Sequence, residues 1–488
     1  MTRLSDFAPL PEGSDQFPLE FIESRGALKL EQDAEHVLVG LVEEGDELLK
    51  SELRYFFKGS LSFIAIDAQE LAEYLGRQFS QVQAKGSSEA EEKLLLDKLA
   101  NDAPVVNLVN NILMEGIRLG CSDIHFEALP RQVRVRYRVD GVLRIGRSLP
   151  RDVFPSLSSR IKIMASLNII ERRLPQDGRL SVFAGGRDVE FRVSIVPLAD
   201  GESIVLRLFQ RQGETQKLEE LGFSTSFLDT LRRSACVSNG LLLITGPTGS
   251  GKTTTLNALI REIATDENKV ITIEDPVENV LDSVNQIQTN EAIGLTFDSI
   301  LRRLLRQDPD ILMVGEIRDR KTTELSLRSA LTGHLVLSTL HTNDALAAIP
   351  RMTNMGAEPY LLGAVLRAVA AQRLVRRICP ACRERVDPTP LQKAWLSSRL
   401  GKRAFPQIFA GRGCASCGQS GYKGRTVISE IFQIDDSVEE MIVQGAKRKE
   451  IEDHYRGKKG IFLFDDAMDK LSTGITTIGE IERVVLSR

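Results

Sequence analysis

The run Leu241–Leu256, LLLITGPTGSGKTTTL, constrains the fold of this chain more than any other stretch. An apolar, strand-like segment leads into a glycine-rich loop, and the loop opens a helix. Residues Gly246–Thr253 complete the pattern GxxxxGK[ST], which is the pattern of a phosphate-binding loop. An ordinary glycine-rich turn is the alternative, but the strand, the eight-residue pattern and the helix together favour nucleotide binding.

The residue types in this loop match what a bound phosphate needs. Glycines at 249 and 251 permit positive φ, so that successive backbone N–H groups turn toward the phosphate oxygens. We expect Lys252 to reach the β- and γ-phosphates of ATP and the Thr253 hydroxyl to bind Mg²⁺. The predicted nucleotide-binding residues are Gly246, Pro247, Thr248, Gly249, Ser250, Gly251, Lys252, Thr253 and Thr254.

Length and composition narrow the class of protein. A chain of 488 residues predicts about three domains. The hydrophobic fraction of 42% and the charged fraction of 27% are typical of a soluble globular protein. No apolar run approaches the roughly 18 residues of a membrane span, and no apolar segment follows the N-terminus as in a secretory signal. We therefore expect a cytoplasmic protein whose six cysteines stay reduced.

The N-terminal part divides into a small domain and a linker. Residues 1–82 predict a docking domain, with helical spacing at Ala34–Leu49 and Asp67–Phe79. Residues 83–95, QAKGSSEAEEKLL, are polar with Gly and Ser, which is typical of a linker.

Residues 96–212 predict an α+β domain that presents many arginines. A helical pattern covers Pro104–Leu119, and a hairpin with an Asp-Gly turn covers Arg131–Arg144. Two more strands are predicted at Asp188–Leu198 and Glu202–Phe209. Alternating arginines on strands usually form a solvated face. However, phosphoryl transfer gains from an arginine at the γ-phosphate, so Arg179 and Arg192 are candidate catalytic residues.

Residues 213–372 predict the nucleotide-binding motor domain. The apolar strand in Val270–Glu278 ends in carboxylates, Glu274 and Asp275, and the strand in Ile311–Asp319 ends in Glu316. Ligands of parallel sheets lie at the carboxyl ends of the strands, so both carboxylates should reach the nucleotide. We expect Glu274 to orient the attacking water and Glu316 to bind Mg²⁺ through water. Gly315 occupies the usual aspartate position.

Two histidines bracket the next apolar strand, in Thr332–Ala345. His334 precedes the strand and His341 follows it. A lone histidine is more often structural than catalytic. Two histidines beside a nucleotide site are equally consistent with a functional role, in which they sense the γ-phosphate or transmit its loss.

Residues 373–488 predict a zinc-binding and helical region. Cys379 and Cys382 form one CxxC pair, and Cys414 and Cys417 form another, with 31 residues between the pairs. Four such cysteines predict a structural Cys₄ zinc site, because four thiolates leave no open position for catalysis. In a reducing cytosol, a pair of disulfides is the weaker alternative.

The same region is basic. From residue 373 to residue 425 the sequence has twelve Lys or Arg and two acids, a local balance of +10, whereas the whole chain is −4. This pattern is typical either of a solvated face or of a surface that meets anionic lipid head groups or an acidic partner.

Together these motifs resemble the secretion ATPase superfamily of type II secretion and type IV pilus assembly, over residues 100–488. The segments that carry the resemblance are SDIHFE (122–127), RVRYRVDG (134–141), LPQDGR (174–179), GPTGSGKTTTL (246–256), TIEDPVE (272–278), IGLTF (293–297), LLRQDPDILMVGEIRD (304–319), TGHLVLSTLHTNDA (332–345) and AQRLVRRICPAC (371–382).

The resemblance implies a fold and a set of partners. The fold is α/β: a RecA-like P-loop motor domain follows an α+β, PAS-like domain and a small docking domain, and a Cys₄ subdomain comes last. The family forms hexameric rings with a nucleotide between the arginine-bearing domain and the motor domain. It hydrolyses ATP, and it lies at the cytoplasmic face of the inner membrane, where the N-terminal domain docks on a platform protein.

The resemblance implies an ATPase that drives pseudopilus assembly and protein export by a type II secretion system. The stretch FPLEFIESRGALKL (17–30) is similar to the start of the type II N-terminal domain. A motor for pilus assembly or DNA uptake is the alternative. We expect no nucleic acid partner, because the chain is acidic and its one Trp and six Tyr provide few aromatic rings for stacking on bases. A nucleotide-gated scaffold without turnover is a third reading.

Overall fold

The chain divides into two compact units, which are residues 1–110 with 152–175 and residues 111–151 with 176–488. The computed structural model describes residues 4–7, 10–11, 16–17, 21–22, 25–33, 36–42, 45–56, 60–72, 74–75, 100–209, 216–400, 406–458 and 460–486. The predicted linker, 83–95, lies outside these residues.

The described residues of the first unit contain a three-stranded sheet and several helices. The elements are β1 (Ala27–Gln32), β2 (His36–Leu41), α1 (Glu47–Phe56), β3 (Ser60–Ala65), the first part of α2 (Ala103–Leu119), and α3 (Phe154–Met164), with a short 3₁₀ helix at Leu4–Phe7. Strand β2 lies between β1, which is antiparallel to it, and β3, which is parallel.

One secondary-structure prediction in this unit is wrong. The helix expected over Ala34–Leu49 is replaced by β2, and α1 begins only at Glu47. Strand β2 is hydrogen-bonded on both sides, and its β-branched residues Val37 and Val39 are buried. These tertiary contacts outweigh the helical spacing. The helical residues 68–72 and 74–75 confirm the helix expected within Asp67–Phe79.

The second unit begins with a six-stranded antiparallel sheet. Its strands are β4 (Asp123–Ala128), β5 (Gln132–Val139), β6 (Val142–Pro150), β7 (Gln176–Ala184), β8 (Arg187–Leu198) and β9 (Gly201–Phe209), in the order β6-β5-β4-β9-β8-β7. The predicted helix, hairpin and strands are confirmed. Asp140 (φ 52°) and Gly141 (φ 80°) make the β5–β6 turn, which requires two left-handed residues.

The remaining strands of this unit form a second, larger sheet and a separate two-stranded sheet. They are β10 (Gly240–Thr245), β11 (Val270–Glu274), β12 (Asn285–Gln288), β13 (Ile311–Val314), β14 (Leu335–Leu340), β15 (Leu366–Ile378), β16 (Arg383–Val386), β17 (Ile408–Gly411) and β18 (Tyr422–Gln433). Seven of them pair in the order β12-β11-β13-β14-β10-β15-β18, and β16 pairs with β17. Strands β10 to β15 run parallel, and β18 is antiparallel to β15.

Helices cover both faces of this sheet. They are α4 (Thr225–Ala235), α5 (Lys252–Ile263), α6 (Phe297–Leu304), α7 (Arg320–Leu331), α8 (Ala348–Asn354), α9 (Pro359–Val365), α10 (Pro390–Leu400), α11 (Asp436–Val443), α12 (Arg448–Gly457), α13 (Leu463–Ser472) and α14 (Ile478–Ile481). Leu241 and Leu243 belong to one apolar cluster, and Leu242 and Ile244 belong to another. The central strands are therefore buried on both sides, as in other parallel sheets.

This architecture is a mixed α/β fold with a P-loop motor sheet, as predicted. Among the described residues, no helix has the length and apolar character that crossing a membrane requires.

Candidate active site and cysteine cluster

A cavity of about 390 Å³ lies at the carboxyl ends of the central parallel strands. The phosphate loop forms one wall, and the ends of β11, β13 and β14 form another. The lining residues are Thr248, Gly249, Ser250, Gly251, Lys252, Thr253, Thr254, Leu256, Glu274, Asp275, Pro276, Glu278, Phe297, Met313, Gly315, Glu316, Thr339, His341, Leu374 and Arg425. The cavity therefore gathers most of the predicted catalytic and nucleotide-binding residues.

The phosphate loop has the backbone that its glycines require. Gly246, Gly249 and Gly251 have φ values of 148°, 76° and 87°. A Cβ at Gly246 would come within 2.4 Å of the backbone oxygen of Gln372 on β15. The Gln372 side chain also braces the loop, because its Nε2 donates to the Ser250 oxygen at 2.8 Å. Strand β15 therefore contacts the phosphate loop through both the backbone and the side chain of Gln372.

Lys252 is a buried cation at the start of α5. Its Nζ donates to the backbone oxygens of Gly246 at 2.8 Å and Pro247 at 3.2 Å. Burial lowers the pKa of Lys252, and the nearby charge of Glu316 partly opposes that shift. A cation held by two neutral carbonyls gains from an anionic partner, so Lys252 is prepared for a phosphate.

Glu274 is a buried carboxylate at the end of β11. Its Oε1 accepts hydrogen bonds from Thr272 Oγ1 at 2.7 Å and from Gln286 Nε2 at 2.8 Å. Its Oε2 is buried and has no hydrogen-bond partner within the described part of the chain. Burial raises the pKa of Glu274, and the interactions with Gln286, Thr272 and the backbone of Glu278 counteract this only in part. A carboxylate with a raised pKa and one unused oxygen is suited to accept a proton from water.

Glu316 follows β13 and joins a small charged group. Its Oε2 lies 3.2 Å from Nε2 of His341, and its Oε1 is hydrogen-bonded to Arg318. Arg318 also lies 3.7 Å from Asp275 Oδ2. Burial alone would raise the pKa of Glu316, but the hydrogen bond and charge of Arg318, together with His341, lower it. Glu316 is therefore held as an anion beside the phosphate loop.

The structure separates the two candidate histidines. His341 lines the cavity, whereas His334 precedes β14 and is not among the lining residues. The Nδ1 of His334 lies 2.9 Å from the oxygen of Ser329, at the amino end of the sheet. Residues that bracket a strand lie at opposite ends of it, about 20 Å apart for a strand of this length.

Arg179 and Arg192 also lie outside the cavity lining. They are cross-strand partners on β7 and β8. Arg179 lies 3.5 Å from Glu190 Oε1 with 67% of its side chain exposed. The Arg192 guanidinium stacks on Phe209 with 4.6 Å to the ring centre.

Several residues around the cavity were missed by the sequence analysis. Arg425 lines the cavity from β18, and its Nε lies 3.9 Å from Asp140 Oδ1 in the β5–β6 turn. Asp140 Oδ2 also accepts from the backbone N of Gly424 at 3.0 Å. Arg425 was counted in the basic region, and Arg318 lies two residues after Glu316. No comparable sequence signal marks Gln286 or Gln372.

The four predicted cysteines form a cluster beyond the end of β15. All four Sγ atoms of Cys379, Cys382, Cys414 and Cys417 lie within 4.8 Å of one another. The Sγ–Sγ distances are 3.9 Å for Cys379–Cys414, 3.9 Å for Cys382–Cys417 and 3.7 Å for Cys414–Cys417. Tetrahedral zinc with Zn–S bonds of about 2.3 Å has S–S edges of about 3.8 Å, so the cluster is compatible with zinc.

Comparisons with known proteins agree with this architecture. The model of the family described as "Type II/IV secretion system protein" matches residues 98–483. A relative in Pseudomonas aeruginosa, "Type II secretion system protein E", is 44% identical over 417 residues, which are 86% of this chain and 82% of the relative. "Type IV pilus assembly ATPase PilB" of Myxococcus xanthus is 36% identical over 500 residues, with 98% of this chain and 87% of the relative covered.

A solved structure shares the fold. The X-ray structure of the Legionella pneumophila ATPase DotB aligns with a TM-score of 0.56 at 23% identity, and the alignment covers 77% of this chain and 94% of that chain.

Proposed function

This chain belongs to the type II/IV secretion system protein family and is a P-loop ATPase, and from that premise we propose that it hydrolyses ATP to drive type II secretion. In this proposal, turnover powers assembly of a pseudopilus and export of proteins across the outer membrane. A motor for type IV pilus assembly or DNA uptake is the alternative, which the Myxococcus xanthus relative keeps open.

One observation carries the catalytic part of the proposal. The phosphate loop, Glu274, Glu316 and His341 line the same cavity at the carboxyl end of a parallel sheet. Lys252 would exchange its bonds to two backbone oxygens for bonds to the β- and γ-phosphates of ATP. The Thr253 hydroxyl and, through water, Glu316 would hold Mg²⁺, which neutralises phosphate charge.

Glu274 is the proposed group that orients the attacking water. Its unused Oε2 would accept the water proton while the water oxygen bonds to the γ-phosphorus. The bond from that phosphorus to the bridging oxygen then breaks, and ADP leaves. Glu316 and His341 lie at the same wall and would respond to the loss of the γ-phosphate.

Arg179 and Arg192 are proposed to supply positive charge to the γ-phosphate during turnover. Arg179 is mostly exposed and bound to a single carboxylate, so it can move to a nucleotide without breaking a buried network. An arginine in this role contributes strongly to phosphoryl transfer. The role requires the arginines to move to the nucleotide, from this subunit or from a neighbour in a ring.

The cysteine cluster is proposed to hold structural Zn²⁺. The metal would join the turn after β15 to the short 3₁₀ helix at Ala415–Cys417. Backbone N–H groups of Cys414 and Gly421 donate to the Cys417 sulfur at 3.2 and 3.3 Å, and such bonds favour a thiolate ligand.

The remaining proposals concern assembly. The chain would form a hexameric ring in the cytoplasm at the inner membrane and dock on a platform protein there through residues 1–82. The exposed basic residues of 373–425 would face an anionic lipid surface, whereas Arg373 is buried and Arg425 lines the cavity. The proposed domains are the docking domain at 1–82, the linker at 83–95, the α+β domain at 96–212, the motor domain at 213–372 and the zinc-binding and helical region at 373–488. No nucleic acid partner is proposed.

Secretion in the source cell tests this function. A strain that lacks the gene should lose export of its type II substrates, and the wild-type chain should restore export. Neither Lys252→Ala nor Glu274→Gln should restore it, although both variants accumulate. Loss of pili with normal export would contradict the proposal and support the pilus alternative.

The docking partner distinguishes the same alternatives biochemically. Full-length protein should capture a type II platform protein from detergent-solubilised inner membranes. Capture of a pilus platform protein would contradict the proposed role in export and support pilus assembly, while the proposed ATPase chemistry would be unaffected.

A further inference from the structure

The segment His341–Ala345, which we call the histidine loop, is fixed at every residue after the histidine. Each of these residues is bound by a side chain from a different element of the fold. The pairs are Thr342 N to Thr245 Oγ1 at 2.8 Å, Asn343 O to Arg373 Nη2 at 2.9 Å, Asp344 Oδ2 to Arg448 Nη2 at 2.9 Å, and Ala345 N to Glu430 Oε1 at 2.7 Å.

Glu430, on β18, holds two segments with one carboxylate. Its Oε1 accepts from Ala345 N, and its Oε2 accepts from Leu463 N at 2.9 Å. Leu463 is the first residue of α13, whose N-cap, Phe462, offers no side-chain cap. The carboxylate therefore caps that helix from a neighbouring strand, where the N-terminal N–H groups favour an anion.

Arg373, on β15, also holds two segments with one buried side chain. Its Nη2 donates to the Asn343 oxygen, and its Nη1 donates to the Val484 oxygen at 2.6 Å, near the end of the chain. The next residue back, Gln372, braces the phosphate loop. Strand β15 thus contacts the phosphate loop and the histidine loop through adjacent residues.

Both charged side chains are expensive to bury. Glu430 is 4% exposed and Arg373 is 8% exposed. Burial raises the pKa of Glu430 to about 7, and the nearby charges of Asp344 and Glu430 oppose the lowering of the Arg373 pKa by burial. Apolar side chains would pack there at lower cost, so polar, ionisable groups at these positions indicate that the backbone groups they bind must be held in place.

We propose that Arg373 and Glu430 are positioning residues for ATP hydrolysis, which hold His341 against Glu316 by fixing the histidine loop. His341 Nε2 lies 3.2 Å from Glu316 Oε2, a distance that a shift of about 1 Å would take out of hydrogen-bonding range. The same two side chains connect this contact to α13 and to the C-terminal segment. The inference rests on the ATPase function proposed above.

Two single substitutions test the proposal, and each has a control variant. Glu430→Gln keeps one acceptor of two, and Arg373→Lys cannot bind both carbonyls at once. The control for Glu430 is Asp466→Asn: Asp466 is another buried carboxylate, and it accepts from Ser429 N at 2.7 Å and from Lys470 Nζ at 2.6 Å without touching the histidine loop. The control for Arg373 is Arg376→Lys: Arg376 lies on the same strand and binds Glu480 at 2.7 Å.

Steady-state ATP hydrolysis by the full-length protein is the first measurement. Glu430→Gln and Arg373→Lys should lower kcat about tenfold or more, with the KM for ATP changed less than about twofold. The two controls should keep kcat within about twofold of the wild type, whatever they do to the melting temperature. An equal loss of kcat in a control and its partner would overturn the proposal.

A double-mutant cycle with His341→Ala is the second measurement. If Glu430 acts through His341, Glu430→Gln should change kcat by less than about twofold in the His341→Ala background. An undiminished tenfold effect there would overturn the proposal while leaving the ATPase function intact. Failure of the wild type itself to hydrolyse ATP would overturn both the proposed function and this inference.

Discussion

Gln286 Nε2 donates to Glu274 Oε1 at 2.8 Å, across the pairing of β12 with β11. Gln286 also accepts from Leu281 N at 2.7 Å and donates to Asn279 O at 2.9 Å. The amide is therefore oriented by the connection between the two strands before it meets the carboxylate. The hydrogen bond from this amide favours the ionised form of Glu274 against the effect of burial.

Removing that amide should alter the pH dependence of hydrolysis. The hydrogen bond from Gln286 lowers the pKa of Glu274 against the effect of burial, so Gln286→Ala should raise the pKa further. Since the proposed mechanism uses the ionised carboxylate, the acid limb of kcat should move to higher pH. A profile of kcat between pH 5 and pH 9 tests this. Gln288→Ala, on the same strand, is the control, and equal profiles for the two variants would contradict the prediction.

Lys252→Ala should abolish stabilisation by nucleotide. At ATP concentrations about 100 times the Kd, binding stabilises the wild type by about 2.7 kcal/mol, which raises its melting temperature. The variant lacks the cation that the phosphates need, so ATP with Mg²⁺ should leave its melting temperature unchanged. Thermal melts with and without ATP provide the measurement. The exposed Lys269→Ala should respond as the wild type does, and an ATP response in Lys252→Ala would refute the assigned role.

Arg179→Ala and Arg192→Ala should each lower kcat by at least about a hundredfold. Arg179 is mostly exposed, and Arg192 is half-buried against Phe209, so folding should be retained. Initial rates at saturating ATP, with circular dichroism as the check on folding, provide the measurement. Arg187→Ala, at the exposed start of β8, is the matched control. Rates within about twofold of the wild type would exclude these two arginines from the chemistry.

Cys382→Ser should remove the metal and destabilise the surrounding region. Elemental analysis should find about one zinc per wild-type chain and less than about a tenth of that in the variant. The first thermal transition should fall by roughly 5 °C or more, because metal binding contributes folding free energy. Cys236→Ser, an exposed cysteine outside the cluster, should change neither quantity. Full zinc occupancy in Cys382→Ser would remove the Cys₄ assignment.

Local and contiguous features were predictable from the sequence. The phosphate loop, the Asp140–Gly141 hairpin and the carboxylates after β11 and β13 depend on residues within about ten positions of one another. Their geometry follows from backbone conformation and from the shared direction of parallel strands. The cysteine pairs were also predictable, because thiolates at metal-ligand spacing favour one cluster. The prediction of a helix at Ala34–Leu49 was wrong, because pairing of β2 with a strand on each side decided the local structure.

By itself, then, the sequence determined the chemistry that the chain carries: a phosphate loop, acidic strand ends and a cluster of four cysteines. Only the tertiary structure decided which distant residues complete the site. The order β12-β11-β13-β14-β10-β15-β18 places Gln286 beside Glu274, brings His341 but not His334 to the cavity, and sets Arg373 and Glu430 under the histidine loop. Periodicity reveals which residues of a strand are buried, but strand order is set by packing over the whole core, so no local pattern encodes these contacts.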